Sequence, residues 1–298
     1  MTVNRTVAVL GPGAVGGSLA VRLSLAGVPV VCVARPETVG IIALSGIAVE
    51  SPDGAATIRP EVAEELERPV GLLLVTVKAP ALEEALDRID ADAVSEGVVL
   101  PLLNGLEHME ALRRRFPGRV AAGSISHFQA YRVGRVQIVE ATRSPVITMA
   151  SVELPRGDLD RVADLLRLGR MEVRIGESER RVLWSKAARI SALAAATAAT
   201  GRSVGELRAD GDWNPRLQRA IAEACAVAEA DGVSLRAAAQ WDIIEQMAGE
   251  TTTSAARDVA AGRRSELDAI VGSVLRVAER HGVATPTLSA LASSAGLS

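Results

Sequence analysis

The chain is poor in aromatic residues: three Trp, two Phe and one Tyr among 298 residues. Leu, Val, Ile and Ala must fill its core, and an apolar share of 48% is enough for a large one. Cysteine is scarce too. Cys32 and Cys225 alone make neither a disulfide framework nor a zinc site, so both are expected as small core residues. The three histidines, His108, His127 and His281, are too dispersed to hold a metal, and none sits in a recognisable catalytic motif. No run of about 18 apolar residues offers a membrane span. The opening MTVNRTVAVLGPG reads as a strand entering a glycine turn, not as a secretory signal. The formal charge is −3, and no basic stretch is interleaved with aromatics, so neither nucleic acid nor an anionic membrane is an expected partner. These absences point to a cytoplasmic protein acting on a small molecule.

Lysine is the most telling scarcity. Of 33 basic side chains only Lys78 and Lys186 are lysines, leaving 31 arginines. Arginine serves most surface roles of lysine, but not those that need a compact, rotatable ammonium able to lose its proton. Both lysines are therefore candidates for function.

What is present divides in two. The first part alternates short β-rich runs with amphipathic stretches, the pattern of a parallel sheet covered by helices. Strands are expected at Thr6–Leu10, Pro29–Ala34, Gly71–Val77 and Gly97–Leu100, with a helix over Ala14–Ala26. Several short β runs between Val120 and Ala150 suggest an antiparallel extension, followed by a helix at Leu159–Leu168 and a strand at Met171–Ile175. Beyond Gly176 helical spacing dominates: Arg180–Thr200, Asn214–Ala230, Leu235–Ala248, Thr253–Arg280, and a last helix opening near Pro286. The expected architecture is an α/β Rossmann domain over residues 1–176 and an all-α domain over 177–298.

The strongest motif is VAVLGPGAVGG, where Gly11, Gly13 and Gly16 spell G-x-G-x-x-G. Gly11 permits the tight turn, Gly13 lets backbone approach a pyrophosphate, and Gly16 lets the helix pack close to the strand. Pro12, Ala14 and Val15 complete the loop, and the pyrophosphate would rest on the helix N-terminus. The second strand ends in Arg35, nineteen residues after Gly16, where NAD enzymes usually carry an acid for the ribose 2′-hydroxyl. A guanidinium there suits a 2′-phosphate, so NADPH is the expected cofactor, with Glu37 as the feature that would favour NADH. Lys78 follows the strand GLLLVTV at the end where ligands bind, within reach of cofactor phosphate or ribose, or as a simple strand cap. Asn104 follows the strand VVLPLL, either to bind the nicotinamide ribose or substrate or to make an Asn-Gly turn. Lys186, in RVLWSKAARI, is the best candidate for a general acid, because partial burial lowers an ammonium's pKa toward neutrality.

Through these residues the chain resembles the ketopantoate reductase family. The matching stretches are LGPGAVGG, the Arg35 strand end, TVKAPALEEAL, LLNGL, LWSKA and TTTSAARDVAAGRRSELDAIVGSVLRVAERHGVATP, nearly the whole chain. The last is the most specific, with Ser254, Asp258 and Glu266 at the family's spacing. The resemblance implies Lys186 as general acid, supported by Glu266. It implies NADP contacts from Gly11 to Gly16, Lys78, Asn104 and Glu266, substrate contact from Ser254, and a homodimer through the helical domain. It also exposes a departure. Where the family places asparagines after the catalytic lysine, this chain has Ile190, Ala194 and Val204. Residues 186, 190 and 194 share one helix face, so the surface beside the acid is expected to be apolar. Arg189 and Arg202 are the residues that could replace the lost polar contacts. Three readings stay open: reduction of ketopantoate, the same chemistry on a more apolar ketone, keto acid or imine, and a non-catalytic NADP(H) sensor.

Overall fold

The computed structural model describes residues 4–297, which form two compact units. One holds the residues up to Leu103 and again His108–Val182; the other holds Asn104–Glu107 and the chain from Leu183 onward. The division falls one turn into a helix that begins at Glu179.

In chain order the strands are β1 Val7–Leu10, β2 Val30–Val33, β3 Ile47–Ser51, β4 Gly54–Ile58, β5 Glu61–Ala63, β6 Leu72–Val75, β7 Val98–Pro101, β8 Ala122–Ser126, β9 Ala130–Arg132, β10 Gln137–Glu140, β11 Val146–Ala150 and β12 Glu172–Ile175. The helices of the first unit are α1 Ala14–Leu25, α2 Pro36–Ser45, α3 Leu82–Leu86, α4 His108–Arg115 and α5 Arg156–Leu168. The central sheet runs β5-β2-β1-β6-β7 and all its pairings are parallel. Its inner strands are apolar at every position because the sheet is covered on both faces, and β1, β2, β6 and β7 are buried throughout. From β1 the chain runs outward on one side to β2 and β5, then returns on the other to β6 and β7. The carboxyl end of β1 is thus a switch point, where open α/β sheets bind ligands.

The segment from Val120 to Ala150 supplies β8 to β11, and its pairings are mixed. β8 runs antiparallel to β11, and β9 antiparallel to β10. β10 lies parallel to β3, and β11 parallel to β12. The β3–β4 hairpin, turning at Pro52-Asp53, was not anticipated.

The second unit is helical: α6 Glu179–Thr200, whose first turn belongs to the other unit, then α7 Val204–Ala209, α8 Trp213–Ala230, α9 Ala237–Glu245, α10 Ser254–Ala260, α11 Ser273–His281 and α12 Pro286–Ser294. The alanines of α6, among them Ala188, Ala192, Ala194 and Ala195, are buried and let neighbouring helices approach closely. The single helix expected over Thr253–Arg280 is a correction. It breaks after Ala260, at Gly262 (φ +62°), and resumes through a wide π-turn at Asp268–Gly272. Glu266 lies in this interruption, and π geometry of that kind is frequent at functional sites. Among the described residues no helix is long and apolar enough to cross a membrane.

Candidate active site

In the first unit the site grows from the β1–α1 turn. Gly11 has φ +85°, and a Cβ there would stand 2.4 Å from Val77 Cγ1. On Gly16 a Cβ would lie 2.2 Å from Thr76 Oγ1 and 2.5 Å from the Gly11 carbonyl oxygen, so helix and strand approach as closely as glycine allows. Gly13 differs. Its φ of −79° suits any residue, and the nearest atom to an added Cβ is 3.9 Å away. Packing does not demand glycine at 13, and the space above it is open to a ligand lying against the backbone. The loop therefore fits a dinucleotide. Gly13 caps α1 without a side-chain bond, and the first turn carries no acid. The leading N–H groups and the positive end of the helix dipole favour an anion there. Pro12 is buried beneath the loop, and Ala14 and Val15 are half-buried.

Thr76 was missed by sequence reasoning. Its hydroxyl donates to the Gly11 carbonyl at 2.8 Å and its N–H to the Leu10 carbonyl at 2.9 Å, pinning the turn to β6. A threonine inside a β run carries no signal of this role. Two residues on, Lys78 is exposed at the same carboxyl rim. Arg35 lies just past β2, at the N-cap of α2, and is exposed, with no ion pair among the described residues. Glu37 is instead paired with Arg135.

In the second unit the site forms around Lys186 on α6. Burial lowers its ammonium from the usual 10.5 to about 8; the like charge of Arg189 pushes the same way and Glu266 opposes both. Some of the Lys186 side chain keeps accessible surface, so the desolvation acts on its charged end. Glu266 is 6% exposed, and the interruption between α10 and α11 brings it to Lys186.

The Asn104–Glu107 segment belongs to this unit. Gly105 has φ +92°, and a Cβ there would meet the Ala269 carbonyl oxygen at 2.1 Å. Glu107 receives two bonds from Arg276, at 2.8 and 2.6 Å, and Arg276 also reaches Asp268 at 2.8 Å. The π-turn thus clamps the segment that carries Asn104. Asn104 Oδ1 is buried without a hydrogen-bond partner, as a group reserved for a ligand would be.

Ser254 opens α10, whose N-cap Thr253 shares a 2.7 Å hydroxyl contact with Thr197 of α6. Asp258 is buried and bonded to Arg263 at 3.1 Å. Ile190 is partly buried and keeps some surface. Ala194 corrects its expected role. It has no exposed surface and packs in the helical core, as does Val204, so neither can touch a ligand in this conformation. Of the two arginines, Arg202 is committed to Asp210 at 2.9 Å. Arg189 has no carboxylate partner among the described residues; its Nη1 donates to the Ser185 carbonyl and, at 3.1 Å, to Gln240 Oε1.

The chain is similar to known proteins over almost all of its length. The family described as ketopantoate reductase PanE/ApbA matches residues 7–153, and its C-terminal part matches residues 179–296. A 2-dehydropantoate 2-reductase of Caulobacter vibrioides is 30% identical over 295 residues, covering 94% of each chain. The solved PanE/ApbA family ketopantoate reductase of Ralstonia eutropha is 26% identical with a TM-score of 0.86, over 98% of this chain and 97% of that one. D-mandelate dehydrogenase, solved with NADH and anilino(oxo)acetate, shares the fold at a TM-score of 0.88 and 21% identity, over 98% and 97%. This chain belongs to the ketopantoate reductase family and is an NAD(P)-dependent oxidoreductase.

Proposed function

We propose that the protein reduces a 2-keto acid of ketopantoate type to the 2-hydroxy acid with NADPH, Lys186 acting as general acid. The observation that carries this reading is the desolvated Lys186 ammonium beside buried Glu266, poised near pH 8. NADPH, when bound, supplies the hydride. Gly11, Gly13 and Gly16 with the α1 N-terminus would hold its pyrophosphate, Arg35 its 2′-phosphate, and Lys78 and Asn104 its phosphate or ribose. Lys186 Nζ gives a proton to the carbonyl oxygen as that oxygen becomes an alkoxide, and recovers one from solvent afterwards. Glu266 keeps the ammonium charged long enough to act. The same reading carries a homodimer through the helical unit and a cytoplasmic role in pantothenate biosynthesis. A second reading has one observation behind it: Ile190 presents apolar surface one turn from the acid, which suits a bulkier, more apolar keto acid or ketone. Turnover of ketopantoate beside a panel of larger 2-keto acids and ketones, followed by NADPH absorbance, separates the two. Cofactor binding with no turnover across the panel would sink both.

Because Lys186 must be protonated to act, kcat/KM for reduction is expected to fall as pH rises through about 8, tenfold per pH unit beyond it. Oxidation of the hydroxy acid needs the neutral amine and should rise over the same interval. A pH profile in both directions checks the sign. Arg35→Ala should raise KM for NADPH by roughly 10- to 100-fold, the worth of a charge-assisted hydrogen-bond pair, and leave KM for NADH almost unchanged. Parallel losses with both cofactors would remove Arg35 from the 2′-phosphate.

A further inference from the structure

We propose that Arg189 is the carboxylate anchor of the substrate site, taking over by one guanidinium the binding that Ile190, Ala194 and Val204 cannot give; this rests on the keto-acid reading above. The geometry is specific. Arg189 follows Lys186 by three residues on α6, so the two side chains are neighbours on one helical surface. Its Nη1 is pinned on one side by the Ser185 carbonyl and on the other by Gln240, which is itself 7% exposed. The opposite edge, Nε and Nη2, bonds to no described residue yet is not sealed from solvent. That edge is the fork that grips a carboxylate through two parallel N–H···O bonds. An arginine fixed at one corner has already lost much of the freedom that binding would otherwise cost it.

The charge is also out of balance. Burial depresses the Arg189 guanidinium to about 10, and no carboxylate of the described residues pairs with it. Glu266 acts on Lys186 instead. A desolvated cation without a counter-ion is costly, and a site that keeps one is built to receive an anion. Arg202, the other basic candidate, is already neutralised by Asp210. A 2-keto acid gripped by Arg189 would present its carboxylate there and its adjacent carbonyl to Lys186. It would also cancel the like charge that now pushes the Lys186 proton off, so more of Lys186 is protonated when substrate arrives.

The test compares wild type with Arg189→Met on a 2-keto acid and on the corresponding 2-keto amide, which keeps the carbonyl and drops the charge. KM for the acid should rise about 100-fold in the variant, against about twofold or less for the amide, with NADPH affinity by fluorescence titration unchanged. The alkaline limb of kcat/KM for the amide should move upward from about 8, because the repelling charge is gone. Oxamate should raise the Tm of the NADPH-loaded wild type and leave that of Arg189→Met where it was. Equal losses on acid and amide, or an oxamate shift retained by the variant, would overturn the anchor. Should Arg189→Met not fold, Arg189→Lys keeps the charge without the fork and should weaken the acid alone; equal effects on both substrates would again overturn it. A wild type that reduces neutral ketones and no keto acid overturns the keto-acid reading itself, whereas keto-acid turnover untouched by Arg189→Met overturns only the anchor.

Discussion

Replacing Lys186 by methionine is expected to lower kcat for carbonyl reduction by about 10²- to 10⁴-fold, the usual worth of a positioned general acid. Dinucleotide binding should survive, because the glycine turn, Thr76 and Arg35 all lie in the other unit. Folding should survive as well. The Lys186 ammonium lies below its ordinary pKa in the folded state, so between about 8 and 10.5 the unfolded chain binds more protons than the folded one. Stability contributed by this residue therefore rises with pH across that window and is lowest below it. Near neutrality the folded protein bears the cost of a desolvated cation, and an apolar side chain of similar length removes that cost. Glu266 then loses its counter-charge, which offsets part of the gain. The decisive comparison is steady-state kcat beside Tm at neutral pH and above pH 8. A variant with wild-type kcat would remove Lys186 from the chemistry, and one that failed to bind NADPH would show the loss to be structural.

The two units differ in how far the sequence reveals their candidate residues. The β1–α1 turn was legible because its glycines follow a motif whose tight turn at Gly11, open space at Gly13 and close helix contact at Gly16 the fold reproduces. Lys186 stood out through the scarcity of lysine, and its partial burial follows from a helix rich in small apolar residues. Ala194 shows where the same reasoning stops. Spacing places it on the face of Lys186, but α6 is packed on more than one side, so helical periodicity no longer separates core from surface. The break between α10 and α11 was hidden for a related reason. Ala255 and Ala256 on one side and Leu267, Ile270, Val271 and Val274 on the other fit one helical register across the run Gly262-Arg263-Arg264-Ser265-Glu266, where Gly262 marks the interruption that carries Glu266 to Lys186. The joining of Asn104 to the helical unit depends on Gly105 meeting Ala269 and on Glu107 meeting Arg276, contacts more than 160 residues apart. No local pattern predicts them.

Gly13→Ala and Gly16→Ala should fail in different ways, and the difference tests whether the turn is built for a ligand. At Gly13 the protein has room: φ is ordinary, and the nearest atom to the new Cβ is 3.9 Å away. Tm should drop by no more than the roughly 0.5–1 kcal/mol that separates glycine from alanine at a helix N-cap allows. Dinucleotide affinity, by contrast, should fall on the order of 100-fold, or ~2.7 kcal/mol, because the methyl occupies the approach to the backbone. At Gly16 the methyl meets Thr76 Oγ1 and the Gly11 carbonyl oxygen, and the latter is backbone that cannot rotate aside. Helix α1 must move off β1 and β6, costing about 1–3 kcal/mol of stability as overpacking does, and affinity falls with it. Isothermal titration with NADPH and thermal unfolding of both variants make the comparison. If Gly13→Ala binds NADPH as wild type does, the open space above that residue is not where the pyrophosphate lies, and the dinucleotide must be held elsewhere along the switch point of the sheet.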